Sequence, residues 1–173
     1  FRALDFKQSD ADECLWVLNR PHGVVVYALY HVDDIIMTGN DNGSRDNMFE
    51  ALRCVLDIRD EGRVDVFLNM KFEYGIDGSI SLSQSHYIEK VAERFGVTDE
   101  SIMTPGSPDD VISKDDLPVT DDEQKHAGKL PFPALVGCLI YAVLTRPDVA
   151  YSISNVAMYM SKWGVRHYEH AMR

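Results

Sequence analysis

Residues 25–39 read VVYALYHVDDIIMTG. An apolar run meets Asp33 and Asp34, then resumes as Ile35-Ile36-Met37. Burying even one ionised carboxylate without a partner is prohibitive. If the pair sits at the tip of a tight turn, water, a metal or a cationic ligand can satisfy it. Two apolar strands joined by such a turn, with carboxylates at the tip, are what two-metal phosphoryl-transfer chemistry needs. By itself an Asp-Asp dipeptide is also an ordinary solvated turn, so its surroundings decide.

Working outward, residues 14–18 and 24–30 are β-rich runs parted by Arg20-Pro21-His22-Gly23, a hairpin signal. Residues 35–38 continue as a third short strand. Ser44 is a candidate N-cap, and Met48, Leu52, Val55 and Leu56 recur at helical spacing, predicting one amphipathic helix from about residue 45 to 58. Residues 64–74 alternate, with Val64, Val66, Leu68, Met70 and Phe72 on one face, and predict a single strand. Gly75-Ile76-Asp77-Gly78 makes a turn, and residues 79–83 return as a partner strand. Tyr87, Ile88, Val91, Ala92 and Phe95 form a helical stripe facing a core, which Gly96 ends. Residues 98–130, with Pro105, Pro108, Pro118 and paired acids, read as a flexible linker or long loop, or as an acidic docking segment. Two helices follow over 133–145 and 147–162, with Pro147 in a first turn and Arg146 non-helical before it.

The 173 residues suffice for one domain or two small ones and carry a net charge of −11. A chain of this size buries about 70% of its unfolded surface. No apolar run reaches the ~18 residues that span a bilayer. No signal-peptide pattern stands at Phe1, and the chain reads as beginning mid-sequence. Cys14, Cys54 and Cys138 each sit in an apolar pattern without any Cys-x-x-Cys, predicting buried free thiols in an intracellular compartment, cytoplasmic or nuclear. The charge argues against a broad nucleic-acid surface, since phosphate neutralisation by Lys and Arg supplies most such affinity. Much of the excess is local, however. Between Asp99 and Glu123 nine acids face Lys114 alone, so this stretch holds eight of the eleven surplus negative charges.

Further motifs fall in a recognisable order. Tyr30-His31-Val32-Asp33-Asp34-Ile35 is similar to a Tyr-x-Asp-Asp box, followed by Thr38-Gly39-Asn40. GRVDVFLNMKF at 62–72 resembles a glycine-led segment containing Phe-Leu-Gly, and ISLSQSHY at 80–87 a hydrophobic-x-Leu-Ser-Gln-x-x-Tyr segment. LVGCLIYAVLTRPDVAYS at 135–152 resembles a Leu-Val-Gly-Ser-Leu-Leu-Tyr segment that runs into Thr-Arg-Pro-Asp. Together, Asp33-Asp34 and Thr145-Arg146-Pro147-Asp148 give the chain a specific resemblance to the copia-type retrotransposon reverse transcriptase, an RNA-directed DNA polymerase, over its second half. Three positions depart from the pattern: His31 replaces the usual Tyr, Asn69 replaces Gly, and Leu4-Asp5-Phe6 stands where Leu-Gly-Phe is common.

The resemblance implies an α+β fold. Residues 1–75 would be a partial antiparallel palm sheet with a packed helix and the Asp-Asp hairpin. Residues 76–98 would be a primer-grip return strand and thumb-like helix, 99–130 an acidic linker, and 131–173 a mostly helical thumb- or connection-like region. It implies that Asp33 and Asp34 are catalytic and hold Mg2+ (or Mn2+). It places Leu68, Asn69 and Met70 at a primer grip, with template-primer and dNTP as partners. In the family a third aspartate comes from an earlier strand, and neither Asp5 nor Asp12 lies in such a motif. The chain alone is thus expected to be inactive.

The alternative is a retroelement-derived protein-interaction module that self-associates or binds a protein partner, with no membrane role. An acidic nucleic-acid mimic is a third reading, resting on residues 109–123. His31 reads as a strand-face histidine rather than a metal ligand. His167 and His170 share a helix face but lack the other ligands of a zinc site. Arg146 and Asp148 read as an ion pair or cap rather than a phosphate site.

Overall fold

The computed structural model describes residues 1–97 and 111–173. It is α+β and falls into two compact units, Phe1–Val64 and Asp65–Arg173.

The first unit carries a four-stranded antiparallel sheet in sequential order: β1 (Lys7–Gln8), β2 (Leu15–Arg20), β3 (Val24–His31) and β4 (Asp34–Gly39). The register Trp16↔Ala28 and Leu18↔Val26 lines up small and large residues on one face. With Phe6 these four form the core, and Phe1, Leu4, Tyr30, Met37 and Met48 pack around it. Each such side chain taken from water stabilises by ~1.5–3 kcal/mol. The other face holds Leu15, Val17, Val25, Leu29 and Ile36, all half-buried. Apolar residues on both faces of β3 explain its unbroken apolar run.

Helix α1 is Asn42–Arg53, not 45–58. Asp41 displaces Ser44 as cap: its carboxylate accepts the Ser44 amide at 2.7 Å. A carboxylate also suits the positive end of the helix dipole better than a hydroxyl. The Ser44 side chain, and after it the Ser44 amide, holds the Asp41 carboxyl below the usual carboxylate range. Because the helix ends a turn early, Val55 and Leu56 are exposed rather than on the core face. Cys54 becomes the exposed cap residue and corrects the expectation of a buried thiol, whereas Cys14 and Cys138 are half-buried.

The second unit opens with a three-stranded antiparallel sheet: β5 (Val66–Phe67), β6 (Met70–Tyr74) and β7 (Ile80–Ser83). The single strand expected over 64–74 is thus a strand folded back on itself at Leu68-Asn69. Helix α2 (Ser85–Phe95) ends as expected on Gly96 in the left-handed region. Then come α3 (Asp121–Ala127), α4 (Phe132–Ala142), α5 (Ala150–Ala157) and α6 (Val165–Met172). Their core joins Ile112, Phe132, Val136 and Val156, with Trp163 and Tyr168 packed against it.

The linker reading meets ordered chain over 111–130. A helical turn at Lys114–Asp116 is boxed by Ser113 and Asp116, and α3 by Thr120 and Glu123. The acids of the expected linker therefore include two capping carboxylates, Asp116 and Glu123. Ile112 and Ala127 are buried. Four acids of the run (Asp99, Glu100, Asp109, Asp110), with Pro105 and Pro108, lie outside the described residues. The helix expected over 147–162 is a short turn, Pro147–Val149, leading into α5. Arg146 before it is non-helical, with φ −127°. Among the described residues no helix is long and apolar enough to cross a membrane.

Candidate functional site

The β3–β4 hairpin puts the aspartates where the sequence argument needs them. His31 pairs with Asp34, so Val32 and Asp33 form a two-residue turn. Val32 adopts φ +55°. A β-branched residue there is a genuine outlier, and such outliers cluster at functional sites. Val32, Asp33 and Asp34 are all exposed, Val32 to 82%. Among the described residues neither carboxylate accepts a hydrogen bond or meets a cation.

The base of the hairpin is locked by the residues after Thr38. Asn40 accepts the Val25 amide and donates to the Gly23 carbonyl, each at 2.8 Å. A Cβ at Gly39 would stand 2.6 Å from the Val25 carbonyl oxygen, so glycine is required by close approach. The result is a rigid ribbon presenting two unpartnered carboxylates to solvent.

In donor chemistry the pair fits a hard divalent cation, which takes few protein carboxylates and completes its shell with water and phosphate. In number it is a partial set: among the described residues no group of three or more His, Cys, Asp or Glu side chains is placed to hold a metal ion. His31 is exposed at the end of β3, while Tyr30 turns inward to stack on Phe1 at 6.4 Å.

Leu68, Asn69 and Met70 come together at the β5–β6 turn, where Phe67 pairs with Met70. Leu68 and Asn69 have φ +51° and +59°. Positive φ at both central residues is the signature of the tightest hairpin turn that matches strand twist. This accounts for Asn69 in place of glycine, because Asn is among the non-glycine residues that best tolerate the left-handed region. The same holds for Asp5, in place of glycine in Leu-Gly-Phe, at φ +65°. Two of the three departures thus keep the backbone conformation that a glycine would serve.

Two residues near this turn, Gln84 and Tyr141, were not singled out in advance. Gln84, only 1% exposed, donates to the Tyr141 carbonyl and accepts from the Thr145 hydroxyl at 2.8 Å. Tyr141 in turn donates to the Leu68 carbonyl at the turn. Their signal was present in the Leu-Ser-Gln and Tyr-x-x-x-Thr-Arg-Pro-Asp motifs. Only folding reveals that the two motifs hydrogen-bond to each other.

The remaining candidates are structural. Arg146 clamps Asp148 with Nε and Nη2 at 2.9 and 2.7 Å, which holds the Asp148 carboxyl below its usual range. Buried His167 accepts the Gly164 amide at Nδ1 (3.0 Å) and reaches the Ser113 carbonyl through Nε2 (3.1 Å).

A family model for reverse transcriptase (RNA-dependent DNA polymerase) matches residues 1–107. A retrovirus-related Pol polyprotein from the transposon TNT 1-94 of Nicotiana tabacum is 31% identical over 92% of this chain and 12% of its own length. An uncharacterized mitochondrial protein of Arabidopsis thaliana is 30% identical over 78% of the chain and 53% of itself. A putative transposon Ty5-1 protein of Saccharomyces cerevisiae is 25% identical over 99% of the chain and 54% of itself. The chain thus spans about an eighth of the tobacco polyprotein and about half of the two shorter relatives. No solved structure matches significantly.

Proposed function

This chain belongs to the reverse transcriptase (RNA-dependent DNA polymerase) family, and we propose that it is a segment of a copia-type retrotransposon polymerase. In this reading the sheet of the first unit is part of the palm. The β5–β7 sheet is the primer grip, with Leu68, Asn69 and Met70 at its turn, and the helices that follow are thumb-like. The observation that carries it is the Asp33-Asp34 pair, exposed and unpartnered at the tip of a braced hairpin.

Asp33 and Asp34 would hold Mg2+ or Mn2+. When bound, such ions supply Lewis-acid stabilisation of the charge that develops in nucleotidyl transfer. The hairpin fixes the two carboxylates toward solvent, where a template-primer and dNTP can reach them. β4 is an edge of the described sheet and begins at Asp34. A further strand paired along that edge would bring a third carboxylate beside the tip. The isolated chain lacks that strand in this reading and is inactive alone.

Primer extension on an RNA template with magnesium or manganese tests the reading. A polymerase carrying this chain as its segment extends the primer, and Asp33→Asn with Asp34→Asn lowers extension by ~10³-fold or more, the equivalent of several kcal/mol of transition-state stabilisation. Extension that survives the double substitution overturns the assignment.

A second reading, an interaction module without polymerase activity, is favoured by the exposed Ile80 and Leu82 on the β5–β7 sheet and by the open β4 edge. Sedimentation separates the two: self-association at micromolar concentration supports the module, and a clean monomer opposes it.

A further inference from the structure

We propose that Tyr141 is a positioning residue which, set by a partly buried Gln84–Thr145 hydrogen-bond chain, fixes the Leu68–Asn69 turn for contact with a primer strand. The inference rests on the polymerase reading above and deepens it.

A two-residue turn closes with hydrogen bonds between its flanking strands and leaves the carbonyl of its first central residue pointing away. Here that carbonyl, of Leu68, accepts the Tyr141 hydroxyl from the last turn of α4. The tyrosine is itself held at two places, its backbone carbonyl and its ring. Its backbone carbonyl accepts Gln84 Nε2 at 3.2 Å. Gln84 Oε1 accepts the Thr145 hydroxyl at 2.8 Å, which fixes the orientation of the carboxamide. The Tyr87 ring stands edge-on to the Tyr141 ring, with centroids 5.1 Å apart.

Tyr87 is tied in its turn, donating to the Cys138 carbonyl at 3.1 Å. Burial, followed by that hydrogen bond, pushes its hydroxyl up to about 12, so it remains a donor across the physiological range.

Gln84 occupies the N-cap position of α2 but makes no side-chain cap bond. Its side chain instead reaches α4, 57 residues away in sequence. A polar chain of this kind, anchored on a buried carboxamide, specifies orientation rather than adding bulk stability.

What it orients is an exposed tip. Leu68 and Asn69 are both open to solvent, and Lys71 follows on the strand. An amide side chain and turn N–H groups held in place suit sugar-phosphate contacts, which position a duplex without reading its sequence.

The test uses a polymerase carrying this chain as its segment and a fluorescent DNA primer annealed to an RNA template, at one fixed salt concentration because phosphate affinity depends on it. Tyr141→Phe deletes one oxygen and keeps the ring packed on Tyr87. Loss of one such hydrogen bond predicts about 5–10-fold weaker duplex binding, with faster amide exchange at residues 68–71. Thr145→Val acts in the same direction and Thr145→Ser restores binding. Trp163→Phe is the structural control. It removes a comparable tie in the same unit, from Trp163 Nε1 to the Ala127 carbonyl at 3.0 Å. It should lower Tm and leave duplex affinity alone. Wild-type affinity in Tyr141→Phe, or an equal loss in Trp163→Phe, overturns the positioning role alone. Absence of duplex binding by the wild-type polymerase overturns the polymerase reading and this inference together.

Discussion

Two hairpin tips in this chain solve the same backbone problem in opposite ways. At Val32-Asp33 the first turn residue has positive φ, the tip is unanchored, and the carboxylates of Asp33 and Asp34 face water without partners. At Leu68-Asn69 both turn residues have positive φ, and Tyr141 holds the tip carbonyl through a chain that begins at buried Gln84. The first hairpin is braced at its base, by Asn40, and kept open at its end. The second is braced at its end. In the polymerase reading proposed above, the first tip would receive cations and phosphates, which requires its own charges to be unsatisfied. The second would stand at a fixed place for a long polymer, which requires that it not move.

The largest expected contrast comes from removing polar groups at each site and measuring unfolding by denaturant. Gln84→Leu should cost ~1–2 kcal/mol, because it removes the partners of the half-buried Thr145 hydroxyl and Tyr141 carbonyl. Asp33→Asn with Asp34→Asn should leave stability unchanged or slightly raised, since no native partner is lost. If the double variant instead unfolds the protein, the aspartates are structural and the contrast collapses.

A smaller effect concerns strain. Leu68→Gly and Val32→Gly should each relieve ~1 kcal/mol of left-handed backbone penalty, offset in part by glycine's greater entropy when unfolded. Asn69→Val should cost about the same amount, for the same reason. The denaturant midpoint of each variant, at constant m-value, reads this out. If Leu68→Gly relieves less than Val32→Gly, the Tyr141 anchor is offsetting the strain.

The smallest effect separates the units by pH. Burial is the main cause holding His167 below its ordinary 6.5, with the nearby Asp116 opposing it. The folded state therefore binds this proton less readily than the unfolded chain. Stability from neutral His167 is complete above pH 6.5 and declines as pH falls from there toward the lower folded value. Asp116, held down chiefly by the Ser113 amide, contributes above the usual carboxylate range and is lost only in stronger acid. His167→Gln should flatten the first decline, and amide exchange should place the loss in the second unit. A decline of equal size in the first unit would contradict this assignment.

The hairpins, the helix ending at Gly96 and the motifs around Asp33-Asp34 were legible because each rests on local chemistry: turn residues, spacing, and the cost of burying charge. The strand expected over 64–74 was misread because Leu68-Asn69 carries neither glycine nor proline. Alternation continued through the turn as though the chain ran straight. Helix α1 was shifted because two cap candidates lay three residues apart, and a carboxylate outcompeted a hydroxyl. The acidic stretch was read as linker because its charge concealed Ile112 and Ala127, which are buried.

By itself the sequence determined the family, the α+β class and the place of Asp33-Asp34, since an aspartate pair between apolar strands has few affordable positions. It also carried every residue of the Gln84–Tyr141–Thr145 chain. Only the tertiary structure decided that these residues meet. Hydrogen bonds across 57 and 61 residues depend on how α4 packs against α2, and no local preference encodes that distance.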